Sequence, residues 1–227
     1  MISDDAAGLG PLIDARPAPR PQRVTLTGRF VTLAPLTPDH SASLFGLSGG
    51  ARLWTYLPYG PFDDFVAFAT DVEAKAKAQD PLYFAVIDNQ TGRAIGYQSL
   101  MRIDPAHRVI EVGGILFTPP LQGTPGSTEA QYLFARHVFD TLGYRRYEWK
   151  CNDRNAPSRR AAARLGFSFE GVFRQHMIVK GQNRDTAWFS MLDNEWPARR
   201  AAFEAWLAPE NFDAQGRQTR RLEDFRA

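Results

Sequence analysis

The sequence has a single cysteine, Cys151, so no disulfide can form within the chain. A lone thiol fits a reducing compartment, and a cytoplasmic location is expected. Cys151 stands at the end of an expected strand and reads as a packing residue. Long apolar runs are missing too: none approaches the roughly 20 residues that a membrane helix needs. The opening residues, M-I-S-D-D-A-A-G-L-G, lack the basic-then-apolar order of a signal peptide. Nor is there an excess of charge. Lys+Arg 27 minus Asp+Glu 25 gives +2, too little to argue for a nucleic-acid partner, and the arginines are not interleaved with base-stacking aromatics. No internal repeat is visible and no metal site is expected. What remains, 227 residues with 44% hydrophobic, 12% aromatic and 23% charged, describes a globular chain able to bury a sizeable core in one domain.

The chain is organised around Arg108 to Gly143. An apolar, β-branched run from Val109 to Phe117, bounded by Thr118-Pro119-Pro120, reads as a buried strand. An amphipathic helix is expected over Thr128 to Leu142, with Ala130, Leu133, Phe134, Val138 and Leu142 at helical spacing and Gly143 as its stop. Between them lies Gln122-Gly123-Thr124-Pro125-Gly126-Ser127. A strand, a small-residue loop and a helix N-terminus together make a site for phosphate, because the first helical amides lack internal partners and mark the positive end of the helix. Ser127 or Thr128 is expected to cap the helix or donate a hydroxyl. The loop lacks the Gly-Lys-Ser/Thr ending of a nucleoside-triphosphate site and the G-x-G-x-x-G of a dinucleotide site. That leaves a diphosphate held mainly by backbone amides, or an ordinary connection.

The rest is read in chain order. Residues 1–22 form an extended, proline-bearing tail. Val24 to Leu33 is the first strand, and Thr37-Pro38 starts a short helix. The stretch Leu53 to Phe62 is the most aromatic loop in the chain, either a hydrophobic plug or a pocket wall. Asp63 or Asp64 caps a helix over Phe65 to Gln79, followed by antiparallel strands Tyr83 to Asp88 and Ala94 to Arg102. Arg146 to Cys151 is a strand parallel to the central one. Asn155 caps a helix from Ala156 to Leu165, ended by Gly166. Phe167 to Val179 and Thr186 to Leu192 form a closing hairpin, and a last helix follows Pro197. From 208 onward the chain is a charged, loose tail.

Glu111 is singled out because a carboxylate within an apolar strand needs a reason to be buried. Alternation places 111, 113, 115 and 117 on one face, and Gly113-Gly114 leave room for another molecule beside the backbone. An ion pair with Arg102 or Arg108 is the plainer alternative.

Two stretches carry a family resemblance. Strand, Q-G-T-P-G-S-T-E-A and helix resemble the acetyl-CoA loop of the GNAT superfamily of N-acetyltransferases. The stretch C-N-D-R-N-A-P-S-R-R-A-A-A-R-L-G-F-S-F-E-G-V-F-R, Cys151 to Arg174, is similar to the second cofactor element of its RimJ/RimL-like branch. The resemblance spans roughly Arg23 to Trp196. It implies an α/β (α+β) fold with a mixed, mostly antiparallel twisted sheet of about seven strands flanked by helices, splayed between its two parallel central strands, in one domain over 23–207. It also implies direct acetyl transfer from acetyl-CoA to a primary amine, the acceptor being a protein N-terminus, an amino acid or a small amine. A non-catalytic acyl-CoA-binding protein on the same fold is the alternative. Small-molecule or peptide amines are the expected partners, not nucleic acid or membrane, and a homodimer is compatible with the reading.

By the same resemblance, the backbone at Leu116, Phe117 and Thr118 holds the pantetheine arm. Gln122, Gly123, Thr124, Gly126, Ser127 and Thr128 hold the diphosphate. Asn155 bonds the arm, and Ser158 supplies the proton to the departing sulfur. Such a reaction uses a base, because free amines have pKa values of about 8 to 10.4, and Glu111 stands where relatives carry one. Trp54, Tyr56, Tyr59 and His176 line the acceptor pocket. Two departures stand out: Met177 occupies a position where some relatives carry a catalytic glutamate, leaving Glu111 or His176 as base, and Pro125 replaces a loop glycine and removes an amide donor. Arg159, Arg160 and Arg164 read as a solvated helix face, one of them within reach of the adenosine phosphate.

Overall fold

The run Val109–Phe117 forms β5, the pivot of an eight-stranded sheet in a computed structural model that describes residues 10–226. The strands are β1 (Leu26–Thr27), β2 (Val31–Pro35), β3 (Leu82–Asp88), β4 (Ala94–Asp104), β5, β6 (Arg146–Asn152), β7 (Ser168–Val179) and β8 (Gln182–Leu192), in the order β1-β2-β3-β4-β5-β6-β8-β7. Every neighbouring pair is antiparallel except β5 and β6. Among the described residues five α-helices accompany them: α1 (Ser41–Leu47), α2 (Phe65–Lys77), α3 (Pro125–Arg136), α4 (Ala156–Leu165) and α5 (Trp196–Leu207).

The sheet has one strand more than expected, because Val24 to Leu33 is broken into a tight hairpin. The Glu129 carboxylate, on α3, accepts the backbone amides of Arg29, Phe30 and Val31 at 2.7, 2.6 and 2.8 Å. Amides turned toward a side chain cannot stay in a strand ladder, so the chain reverses there.

The parallel ladder between β5 and β6 is short. It pairs Val109 to Val112 with Arg146 to Trp149 and stops. Gly113 to Phe117 remain paired to β4 alone, while β6 continues to Asn152 against β8. The two central strands therefore splay apart beyond Val112 and Trp149. The cause lies in β5: Gly114 has φ +57°, and the register with β4 shifts between Tyr97 and Ser99. This bulge overturns the simple alternation. Before it, Ile110 and Val112 face the α3 side. After it, Leu116 joins the α1–α2 side, while Ile115 and Phe117 turn toward α3. Glu111, opposite Met101 on the face of Tyr97 and Ser99, thus shares a face with Leu116 rather than with 115 and 117.

Two apolar layers hold the sheet. On one side α3, α4 and α5 bury Phe84, Phe134, Tyr147 and Trp206; on the other, α1 and α2 bury Leu44, Trp54, Phe68, Val72 and Tyr97. The chain after Pro209, expected to be loose, is folded. Leu222 is 1% exposed within the core, and buried Asn211 donates to the Trp206 carbonyl at 2.9 Å. Apolar Phe212, Leu222 and Phe225, spaced among the charges, cover the end of the α3–α5 layer. The expected N-terminal tail also has an anchor: Ala18 is buried and its amide donates to the Pro105 carbonyl at 3.0 Å. No helix among the described residues is long and apolar enough to cross a membrane.

Candidate active site

The loop after β5 is built by its own side chains. Thr118 donates its hydroxyl and its amide to the Ile95 carbonyl, and its own carbonyl accepts from Leu121 and Gln122. Both its donors are occupied, so it shapes the loop and offers none to a ligand. Gln122 donates to the Phe117 carbonyl at 2.7 Å. Gly123, with φ +71°, is exposed and has open space where a Cβ would stand.

The helix that follows begins at Pro125, three residues before the expected Thr128. Thr124 is its cap, its side chain accepting from the Ser127 amide while donating to Leu121. Thr-Pro is the cap-and-first-residue signature already read at Thr37-Pro38, and it decides the start here as well. The amides that open α3 are therefore those of Gly126, Ser127 and Thr128. Pro125 costs less than expected, because an amide at the first helical position has no partner within the helix. Gly126 is required for packing: a Cβ there would lie 2.8 Å from Val31 Cγ1. The Thr128 hydroxyl is buried and accepts from Arg164 at 2.9 Å. Arg164 consequently ties α4 to the opening turn of α3 and is not a solvated side chain. At its far end α3 continues into a π-helical turn, His137–Thr141, stopped by Gly143 at φ +68°.

At the splay, Asn155 caps α4, accepting from the Ser158 amide at 3.2 Å. The Ser158 hydroxyl accepts from the Trp149 indole at 3.1 Å and stands beside the Cys151 sulfur. Burial pushes the Cys151 thiol up, partly countered by Ser158 beside it.

Glu111 is 1% exposed. Burial pushes its carboxyl up to about 7, against the pull of Lys150 and Arg102. Lys150 Nζ lies 3.1 Å and Arg102 Nε 3.4 Å from Oε2, yet that oxygen has no aligned hydrogen-bond donor among the described residues. The ion pair read as an alternative exists with Arg102, but Lys150 is the nearer cation and was not anticipated. It sits directly opposite Trp188 in the β6–β8 ladder, a register that sequence alone does not disclose.

Across the cleft, His176 Nδ1 lies 3.0 Å from the Thr186 hydroxyl, beside the rings of Phe173 and Trp188. Burial, then Lys150, Arg184 and Arg102, hold its imidazole below the usual range. Trp54 closes the floor of a small cavity with Phe45, Ala51 and Phe62. It is 1% exposed, and its indole donates to the Ser48 carbonyl at 2.9 Å. Trp54 ends a 3-10 turn, Ala51–Trp54, and so large an aromatic ring is buried more favourably than displayed. Tyr56 reaches across instead, its hydroxyl donating to the Arg154 carbonyl at 2.9 Å. Lys180, in the β7–β8 turn, donates to the Trp54 carbonyl at 2.9 Å. The aromatic loop thus bridges to the turn before α4 and to the β7–β8 turn. Tyr59 turns inward, where its ring, with those of Tyr83 and Tyr97, surrounds the Lys75 ammonium at 3.7, 5.7 and 5.9 Å.

Residues 31–168 match the family model of the acetyltransferase (GNAT) domain. The chain belongs to the GNAT acetyltransferases. It is similar to a GCN5-related N-acetyltransferase from Brucella melitensis at 52% identity and a TM-score of 0.91, covering 93% of this chain and 97% of that one. It is also similar to a GNAT-family acetyltransferase from Chromobacterium violaceum at 42% identity and a TM-score of 0.79, over 85% of this chain and 98% of that one. A microcin C7 self-immunity acetyltransferase, solved in complex with acetyl-CoA and AMP, shares the fold at 20% identity and a TM-score of 0.65, over 73% and 93% of the two chains. A comparison with curated proteins finds no match.

In this GNAT domain Glu111 lies one residue before the parallel ladder ends at Val112 and Trp149, Ser158 meets Trp149 where that ladder stops, and His176 stands on the edge strand β7. Sequence reasoning missed Lys150, Arg184 and Trp188. No comparable signal marked them: β6 alternates Arg146, Glu148 and Lys150, and Arg184 stands between Asn183 and Asp185, unlike Glu111 alone among apolar residues.

Proposed function

We propose that the protein is an acetyl-CoA-dependent N-acetyltransferase of the RimJ/RimL-like branch, working by direct transfer to a primary amine. Its cytoplasmic placement, and an amine rather than a nucleic acid or a membrane as partner, belong to the same proposal. The observation that carries it is a buried carboxylate with a pKa of about 7 beside the point where the parallel ladder ends.

The residues present fit the donor. Backbone of β5 beyond Val112 has no partner on β6, leaving a slot for an extended amide-bearing arm. The first amides of α3, with open Gly123 before them, suit a diphosphate. Bound acetyl-CoA supplies an activated acyl group and a thiol leaving group. Glu111, its carboxyl pushed up to about 7 by burial, takes the proton that the acceptor amine must lose. Ser158, its oxygen already engaged by Trp149, donates a hydrogen bond to the leaving sulfur at the positive end of α4. The thiol has a pKa of about 8.5, so the sulfur departs as a thiolate stabilised by that hydrogen bond and takes its proton from solvent. Asn155 fixes Ser158 through the cap. Neutral His176 offers a second proton acceptor on the amine side.

Thiol release from acetyl-CoA over a panel of amines tests the reading. In the wild type, kcat/KM rises with pH through about 7. Glu111→Gln loses that limb and about 10² in kcat, and Ser158→Ala lowers kcat with little change in KM. If the limb survives in Glu111→Gln and disappears in His176→Gln, the base is His176. Acetyl-CoA binding with no release for any amine would leave a non-catalytic acyl-CoA-binding protein.

A further inference from the structure

The face that carries Glu111 has more positive charge than its own carboxylates answer. Arg102 and Lys150 both approach Glu111 and both lie over the Trp188 indole, at 5.3 and 5.2 Å. Arg184 is the third cation. It alternates along β8 with Thr186 and Trp188, and Glu111 and Cys151 are the acidic groups that act on it. Its Nε is shut off from solvent without a hydrogen-bond partner among the described residues. The neighbouring carboxylates are engaged elsewhere. Glu148 takes Arg146 at 2.7 Å, and Glu170 takes the same guanidinium at 2.8 and 2.6 Å. Asp185 accepts from the Gln175 amide and from Asn183, and Asp153 pairs with Arg159. Three cations against one carboxylate leave a surplus of two charges around the acceptor side of the cleft.

A half-buried guanidinium with an idle N–H is unfavourable unless an anion completes it. The flat guanidinium of Arg184 fits a carboxylate or phosphate oxygen pair better than it fits a neutral amide. The aromatic wall of Phe173, His176 and Trp188 suits the carbon skeleton that joins such a group to an amine.

We infer that the acceptor is an amine carrying a carboxylate or phosphate near its reacting nitrogen, with Arg184 docking the anion beside Arg102 and Lys150. The inference rests on the acetyltransferase reading and narrows its acceptor class.

The test compares acceptor pairs that share one amine: free amino acids against their amides, and dipeptides with aspartate against asparagine at the second position. An amide lowers the pKa of its α-amine, so chemistry alone favours the neutral member. The expected result is the reverse, kcat/KM higher for the anionic member by at least about tenfold, as one charge-assisted hydrogen bond gives. Added salt shrinks that ratio in the wild type. Arg184→Gln brings it toward one, and Arg184→Lys retains part of it. Because each ratio is read within one preparation, loss of folded enzyme cancels. Equal use of both members, or a ratio indifferent to salt and to Arg184→Gln, would overturn the inference while leaving acetyl transfer standing. A fall in acetyl-CoA affinity with an unchanged ratio would assign Arg184 to the donor's phosphates and overturn it as well. No thiol release with any amine would remove the acetyltransferase reading and the inference with it.

Discussion

Glu111 combines two roles that pull against each other. A carboxyl whose proton is held to about 7, against 4.5 for an exposed glutamate, is well tuned for taking a proton from an amine and poorly tuned for stability. Folding favours its protonated form. The contribution is complete below pH 4.5 and is lost as the pH rises through 7, at most about 3 kcal/mol by linkage. Glu111→Gln cannot titrate, so its melting temperature relative to wild type rises between about pH 5 and pH 8. Thermal melts across that range check it, and parallel curves would contradict the burial argument. At this scale the sequence was half legible. A lone glutamate among V-I-E-V-G-G marks itself, because burying a charge needs a cause. Its partners do not: Lys150 and Arg184 become its neighbours only through the register of β6 and β8, which composition does not encode. Trp54 and Tyr59 were legible only as a choice between plug and pocket wall, since an aromatic residue in a loop reads alike in both.

Among the elements, β5 shows how one glycine redirects a strand. Gly114 takes a left-handed backbone, and a Cβ there would stand 2.9 Å from the Tyr83 hydroxyl and 3.1 Å from Ser99 Oγ. Gly114→Ala therefore loses about 1–3 kcal/mol, seen as a lower urea midpoint, and weakens acetyl-CoA binding because the bulge sets the splay. An unchanged midpoint and affinity would show the bulge to be dispensable. The two glycines were visible as an opportunity for close approach, whereas the flip of faces they cause was not. Strict alternation put 111 with 115 and 117, and a bulge can be counted only against a partner strand. The start of α3 was legible in retrospect: Thr124-Pro125 carries the same signature as Thr37-Pro38, and the pull of the apolar periodicity further along hid it. Helix α4, bounded by Asn155 and Gly166 as read from sequence, shows how well local capping chemistry serves when nothing competes with it.

For the molecule as a whole, the order of strands and helices followed from periodicity and connection length, and the parallel pair followed from its long crossover. The ends did not. Charge dominates residues 208–227, yet Phe212, Leu222 and Phe225 are distributed so that their rings and branches meet the α3–α5 layer. Ending the chain after Ala208 uncovers that layer, with an expected loss of about 2–5 kcal/mol for the Leu222 contact alone. Differential scanning calorimetry of the shortened protein should show a lower melting temperature; an unaltered one would mean the segment adds nothing.

The clasp of Glu129 on the amides of Arg29, Phe30 and Val31 has a mechanical consequence. It follows Thr128 directly in the opening turns of α3, so the rim of the sheet and the mouth of that helix move as one lever. Whatever ligand tightens the helix mouth also steadies the rim hairpin, and slower deuterium uptake at those three amides would report its arrival without any contact to the ligand.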